Sequence, residues 1–199
     1  MLVSAVFLSL QAAAAADEAD PYQDRRLIVR EQVEPFEVPG RNYRAFYRNV
    51  DRYGPNGRFG QFGYRLDYGF YAQMRGELCR AESEEVVIDL TYRLPAWTHY
   101  EQANTREREA FDEMYASQRA FLEVYGEVVR RGGYGLLQDL RSLDDMPCDQ
   151  LEASMEAVGE AWLEAIEEVV ARHEDNAGTV PLADTVCRTT GTRLPRCRT

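Results

Sequence analysis

The sequence predicts an α+β domain in which a small antiparallel twisted sheet packs on two long antiparallel helices. Three observations carry this expectation. Apolar and polar residues alternate over 62–74 and again over 86–94, the period of a strand with one buried face. Two later stretches, Asn104 to Arg131 and Cys148 to His173, carry apolar residues at helical spacing. Only a short break separates those stretches, which favours antiparallel packing.

The first residues read as an export signal. Leu2 to Leu10 is apolar, Ala12 to Ala16 offers small-x-small cleavage sites, and acidic Asp17, Glu18 and Asp20 follow. The apolar run is too short to span a bilayer. The expected organisation is a signal peptide over 1–16, one domain over 17–178 and an Arg-rich tail over 179–199, in the periplasm or outside the cell. Leu27 to Val38 leans towards strand, with apolar alternation at Leu27, Val29 and Val33 that Pro35 and Pro39 interrupt. Asn42 to Tyr53 reads as a short helix with Tyr43, Phe46, Tyr47 and Val50 on one face and arginines on the other. Gly54-Pro55-Asn56-Gly57 stops it.

Phe62, Tyr64, Leu66, Tyr68, Phe70, Ala72 and Met74 then form the apolar face of a strand. After a loop around Gly76 and Cys79, Val86, Ile88, Leu90, Tyr92 and Leu94 repeat the pattern, and Pro95 is expected to end it. The first long helix presents Phe111, Met114, Tyr115, Phe121, Leu122, Tyr125, Val128 and Val129; Gly132-Gly133 should break it before a short helix over Leu136 to Leu143. The last helix carries Leu151, Met155, Val158, Trp162, Ile166, Val169, Val170 and His173 on one stripe.

Composition narrows the function. The 199 residues have 45% hydrophobic and 29% charged side chains, as a globular domain does. A net charge of -11 argues against nucleic acid and against anionic lipid, both of which need a basic face. All 23 basic residues are arginine, so a lysine nucleophile or Schiff base is excluded. Four cysteines suit an oxidising compartment, where two disulfides in one of three pairings are the default. Cys187 and Cys197 lie close enough in sequence for proximity to favour their pairing. There is no C-x-x-C pair, nucleophile elbow, Walker loop or dinucleotide fingerprint.

An ordered set of landmarks remains. Tyr53-Gly54-Pro55 closes the early helix, and an aromatic strand follows it. Cys79 stands before a β-run closing in Leu94-Pro95-Ala96-Trp97. A long helix comes next, and Cys148 opens the last one. Over roughly Val38 to Gly178 this order resembles a family of secreted bacterial zinc-dependent proteases otherwise of unknown function. The resemblance implies a zincin-like scaffold and a disulfide Cys79–Cys148. It also implies an H-E-x-x-H site, where two histidines one turn apart hold zinc and the glutamate activates its water. Here that site aligns with Leu122-Glu123-Val124-Tyr125-Gly126, so only the glutamate carries over. A further histidine position falls on Ala177.

The expectation is therefore a non-catalytic relative with no metal, in which Glu123 is a relic general base. Without a metal it reads as a solvated surface carboxylate whose change to glutamine is silent. Leu122 reads as core, and Gly126 as either a close backbone approach or a decayed ligand position. Trp97, His99 and Tyr125 are candidate binding residues of the former substrate groove, and the expected partner is a peptide or an envelope protein. The competing readings are an active zinc metallopeptidase using His99, His173 and carboxylates, and a structural envelope protein. His173, near a helix C-terminus, reads as a dipole-favoured cap. The ladder Glu152, Glu156, Glu160, Glu164 and Glu168 reads as a solvated face neutralised by arginines such as Arg106, Arg119 or Arg130, with a docking strip for a basic partner as the functional alternative.

Overall fold

The computed structural model describes residues 24–174. Strand β1 (Leu27–Val38) leads to helix α1 (Tyr43–Tyr53) and a 3-10 turn (Pro55–Gly57). Strands β2 (Gln61–Arg75) and β3 (Leu78–Trp97) form a long hairpin, and helices α2 (Thr105–Arg141) and α3 (Cys148–Glu174) complete the domain. The expected signal peptide, the expected tail with Cys187 and Cys197, and Ala177 lie outside the described residues. No helix of the described residues is long and apolar enough to cross a membrane.

The helix starts follow from side-chain capping. The Asn42 side chain accepts from the amide of Ala45, and the Asn104 side chain accepts from that of Glu107. Gly54 ends α1 by donating its amide to Val50. Phe46 and Val50 point inward and meet Val38, Trp97 and Phe111 in an aromatic cluster that anchors α1.

The sheet corrects one expectation: it is mixed, with order β1-β3-β2. β2 is antiparallel to β3, but β1 runs parallel to it, from Leu27 opposite Val86 to Val38 opposite Trp97. A period of two is the same in both pair types, so the sequence pattern does not choose. The choice is made by α1, which carries the chain past the place that β3 then fills.

β3 also starts earlier and ends later than expected. It begins beside the Gly76 turn, with a bulge at Ser83, whose φ is 57°. The extra residue shifts the buried positions from Cys79 and Ala81 to Glu84, Val86, Ile88, Leu90 and Tyr92. The opposite face carries cross-strand polar rows, such as Arg30–Asp89 at 3.6 Å and Arg65–Asp89 at 3.3 Å. Pro35 does not break β1, because β1 is an edge strand and has one side without a neighbouring strand.

Both long helices lie on the apolar face, and α3 returns along α2. Gly132-Gly133 does not break α2, which runs on through the segment expected as a separate helix. Its glycines are there for packing. A Cβ on Gly135 would lie 2.2 Å from the Trp162 ring, so the indole of α3 needs that gap. The Trp162 Nε1 donates to buried Asp139 at 2.9 Å. A disulfide joins Cys79 to Cys148, tying the start of β3 to the start of α3 across 69 residues.

Candidate functional site

α2 lies over central β3, while α3 covers the β2 side of the sheet. Among the described residues, no further helix covers the flank of α2 towards β1. Along it, Arg119, Glu123, Glu127 and Arg130 fall at successive turns, and Glu31 of β1 and Tyr92 of β3 reach up to meet them. In this charged cluster residues from three elements converge on the segment singled out in the sequence.

The contacts form a closed network. Glu123 Oε1 accepts from Arg119 Nε at 2.7 Å and Nη2 at 2.5 Å. Glu123 Oε2 accepts from the Tyr92 hydroxyl at 3.1 Å and from Arg130 Nη2 at 3.4 Å. Arg130 also donates to Glu31 through Nη2 at 2.5 Å and Nε at 3.2 Å. Arg130 Nη1 approaches Glu127 at 3.5 Å. The Arg119 guanidinium stacks 4.0 Å above the Tyr92 ring, a cation–π contact.

This arrangement fixes the protonation states. Burial pushes the Glu123 carboxyl up, but the hydrogen bond and charge of Arg119, with the donors of Tyr92 and Arg130, outweigh it and hold the carboxyl below its ordinary value. Burial, then the Glu123 charge, raises the Tyr92 hydroxyl, so it stays a donor. A general base needs a free lone pair and a value near neutrality. Glu123 has neither. The expectation of a solvated carboxylate is corrected as well: its two oxygens take four donors.

At 122 and 126, the two described positions where the resemblance implies zinc ligands, the space is taken up by protein packing. Leu122 is 3% exposed and its Cδ1 packs against Gly60. Gly126 marks a close approach: a Cβ built there would lie 2.1 Å from the Tyr92 hydroxyl. An imidazole at 126 and the hydroxyl of Tyr92 cannot share that space. Among the described residues, no group of three or more His, Cys, Asp or Glu side chains is placed to hold a metal ion together.

The candidate binding residues are not brought together. Trp97 is buried in the α1 cluster, and its Nε1 donates to the Gly40 carbonyl. Tyr125 is 4% exposed, stacked on Phe62 at 5.7 Å with Phe121 edge-on at 5.4 Å. Both rings belong to the core clusters. His99 is exposed, its Nδ1 2.9 Å from the Thr98 hydroxyl. His173 lies in the last turn of α3. Sequence reasoning missed Glu31, Tyr92, Arg119 and Arg130 as a unit. The i,i+4 spacing of Arg119 and Glu123 and the i,i+3 spacing of Arg130 and Glu127 were readable signals; Tyr92 and Glu31 come from 31 and 99 residues away from their partners.

No curated protein and no solved structure matches the chain. Residues 33–177 match the model of a family described as "Bacterial protein of unknown function (DUF922)", and since that match spans most of the 199 residues, the chain belongs to this family.

Proposed function

We propose that this DUF922 protein is a non-catalytic relative of secreted zinc-dependent proteases that works in the periplasm or outside the cell by holding an extended peptide or protein segment along β1. The observation that carries this reading is the packing at one turn of α2. Tyr92 fills the space against Gly126, Leu122 is in the core, and Glu123 is saturated by Arg119, Arg130 and Tyr92. The residues that would perform metal-assisted hydrolysis are replaced by a clip of ion pairs.

The same clip leaves β1 usable. β1 is an edge strand, and its unpaired backbone groups are a template for an added strand. Val33, on the helix side of β1, is 47% exposed and supplies an apolar contact beside the strand. Main-chain hydrogen bonds give affinity in this mode and side-chain pockets give preference, so no metal is needed.

The test is selection of binders from a display library of random peptides. Amide exchange of the free and bound protein then follows. The expected result is slowed exchange confined to β1, with no peptide cleavage. Exchange protection elsewhere, or cleavage that stops in Glu123→Gln, refutes the reading.

A further inference from the structure

The chain carries -11 net charge, yet one surface is strongly basic. Between residues 41 and 58 it places Arg41, Arg44, Arg48, Arg52 and Arg58 against a single acid, Asp51. All five arginines are exposed. Among the described residues none of the five takes part in an ion pair. Arg44, Arg48 and Arg52 form an i,i+4 ridge on the outer face of α1. The inner face of α1 is fixed in the core by Phe46 and Val50, so the ridge is held on a rigid support. Tyr47 and Tyr53, 52% and 44% exposed, flank it, and the Arg52 guanidinium lies 5.5 Å from the Tyr53 ring. Arginine and tyrosine are the residue types that concentrate binding energy at protein interfaces.

The complement is on the same molecule. Glu152, Glu156, Glu160 and Glu164 form an exposed i,i+4 ridge on α3. The arginines expected to neutralise it do not. Arg119 and Arg130 are engaged by Glu31, Glu123 and Glu127. Among the described residues none of these four glutamates takes part in an ion pair; the pair on this ladder is Glu168 with Arg172. Three residues at i,i+4 spacing span about 12 Å of helix on either ridge. Ridges of this spacing line up when two helices cross at about 50°.

We propose that the α1 arginine ridge docks on the α3 glutamate ridge of a second copy of this chain. The planar guanidinium matches a carboxylate with two parallel hydrogen bonds, which suits an all-arginine ridge. The contact joins two different patches, so copies either exchange the two ridges reciprocally in a dimer or add head to tail. Net self-repulsion opposes association, so it is selective for this register and sensitive to salt.

The test uses two charge-swapped chains, Arg44→Glu/Arg48→Glu/Arg52→Glu and Glu156→Arg/Glu160→Arg/Glu164→Arg, with sedimentation velocity at about 50 mM and about 500 mM salt. The wild type is expected to self-associate at low salt and dissociate at high salt. Each swapped chain alone should associate at least about tenfold more weakly, and their equimolar mixture should recover association. A swapped set that loses its helical circular dichroism is replaced by glutamines at the same positions, which should weaken wild-type-like association in the same direction. A wild type that is monomeric at low salt, association that ignores the swaps, or a mixture that does not recover overturns the proposal. So does a monomer that instead binds anionic-lipid vesicles through these arginines.

Discussion

Gly126→Ala sets helix propensity against packing, and the structure decides which wins. Replacing a mid-helix glycine by alanine ordinarily stabilises by about 1 kcal/mol. Here the new methyl would meet the Tyr92 hydroxyl at 2.1 Å and the ring carbon that bears it at 3.3 Å. Tyr92 cannot swing away. It is fully buried, roofed by Arg119 at 4.0 Å and flanked by Phe62 at 5.5 Å. Overpacking of this kind costs about 1–3 kcal/mol. Displacing the hydroxyl also loses its bond to the charged Glu123, about 1–2 kcal/mol at a half-exposed site. The expected net effect is destabilisation by about 1–4 kcal/mol. Tyr92→Phe removes the obstructing atom, so in that background Gly126→Ala should be neutral or stabilising by up to about 1 kcal/mol. The coupling in the double-mutant cycle is then about 1–5 kcal/mol. Urea unfolding followed by circular dichroism measures all four chains. Equal stabilisation by Gly126→Ala in both backgrounds refutes the packing argument.

Three further outcomes follow from the network and the crosslink. Glu123→Gln should destabilise by about 1–2 kcal/mol, because a neutral amide among Arg119, Arg130 and Tyr92 leaves donors poorly matched; an unchanged urea midpoint would restore the solvated reading. Asp24 is held down from 3.8 to about 2 by its hydrogen bond with Arg141, then by the Arg26 amide. Its contribution is therefore present above the unfolded value and lost as pH falls towards about 2. Asp24→Asn should flatten the fall in urea midpoint between about pH 5 and about pH 2, and an unaltered slope there counts against the pair. Reduction of Cys79–Cys148, or Cys79→Ser with Cys148→Ser, opens a 69-residue loop and should cost about 4 kcal/mol on the chain-entropy account. A loss below about 1 kcal/mol by urea titration contradicts that account.

The elements whose causes are local were legible in the sequence. Asn42 and Asn104 sit where caps are needed, Gly54-Pro55 stops α1, and the alternation over 62–74 and 86–94 fixes the hairpin. What was not legible has distant causes. Gly132 and Gly133 look like a break because glycine disfavours helix, yet a Cβ on Gly133 would lie 2.5 Å from Ile88 Cδ1. Local propensity is overruled by a strand residue 45 positions earlier. The parallel course of β1 leaves no trace in its alternation. The clip around Glu123 unites Glu31, Tyr92 and α2, and only its steps within α2, Arg119–Glu123 and Arg130–Glu127, have a local spacing.

The packing also shows what the ordered landmarks of the sequence do in this fold. The landmarks are structural in this chain. Trp97 closes the α1 cluster, Cys79 and Cys148 lock β3 to α3, and Leu122 extends the core. Positions 122 and 126 are different, because each lies at a boundary where one side chain decides what fits. At 126 the absence of a side chain admits the Tyr92 hydroxyl, and the hydroxyl then satisfies Glu123. Arg119 and Arg130 complete the charge balance from the same helix. Placing side chains at both 122 and 126 that reach outward would require Tyr92 to change with them, and a partial change leaves either a clash or an unmatched charge. The clip is therefore a complete set of matched contacts at this helix turn.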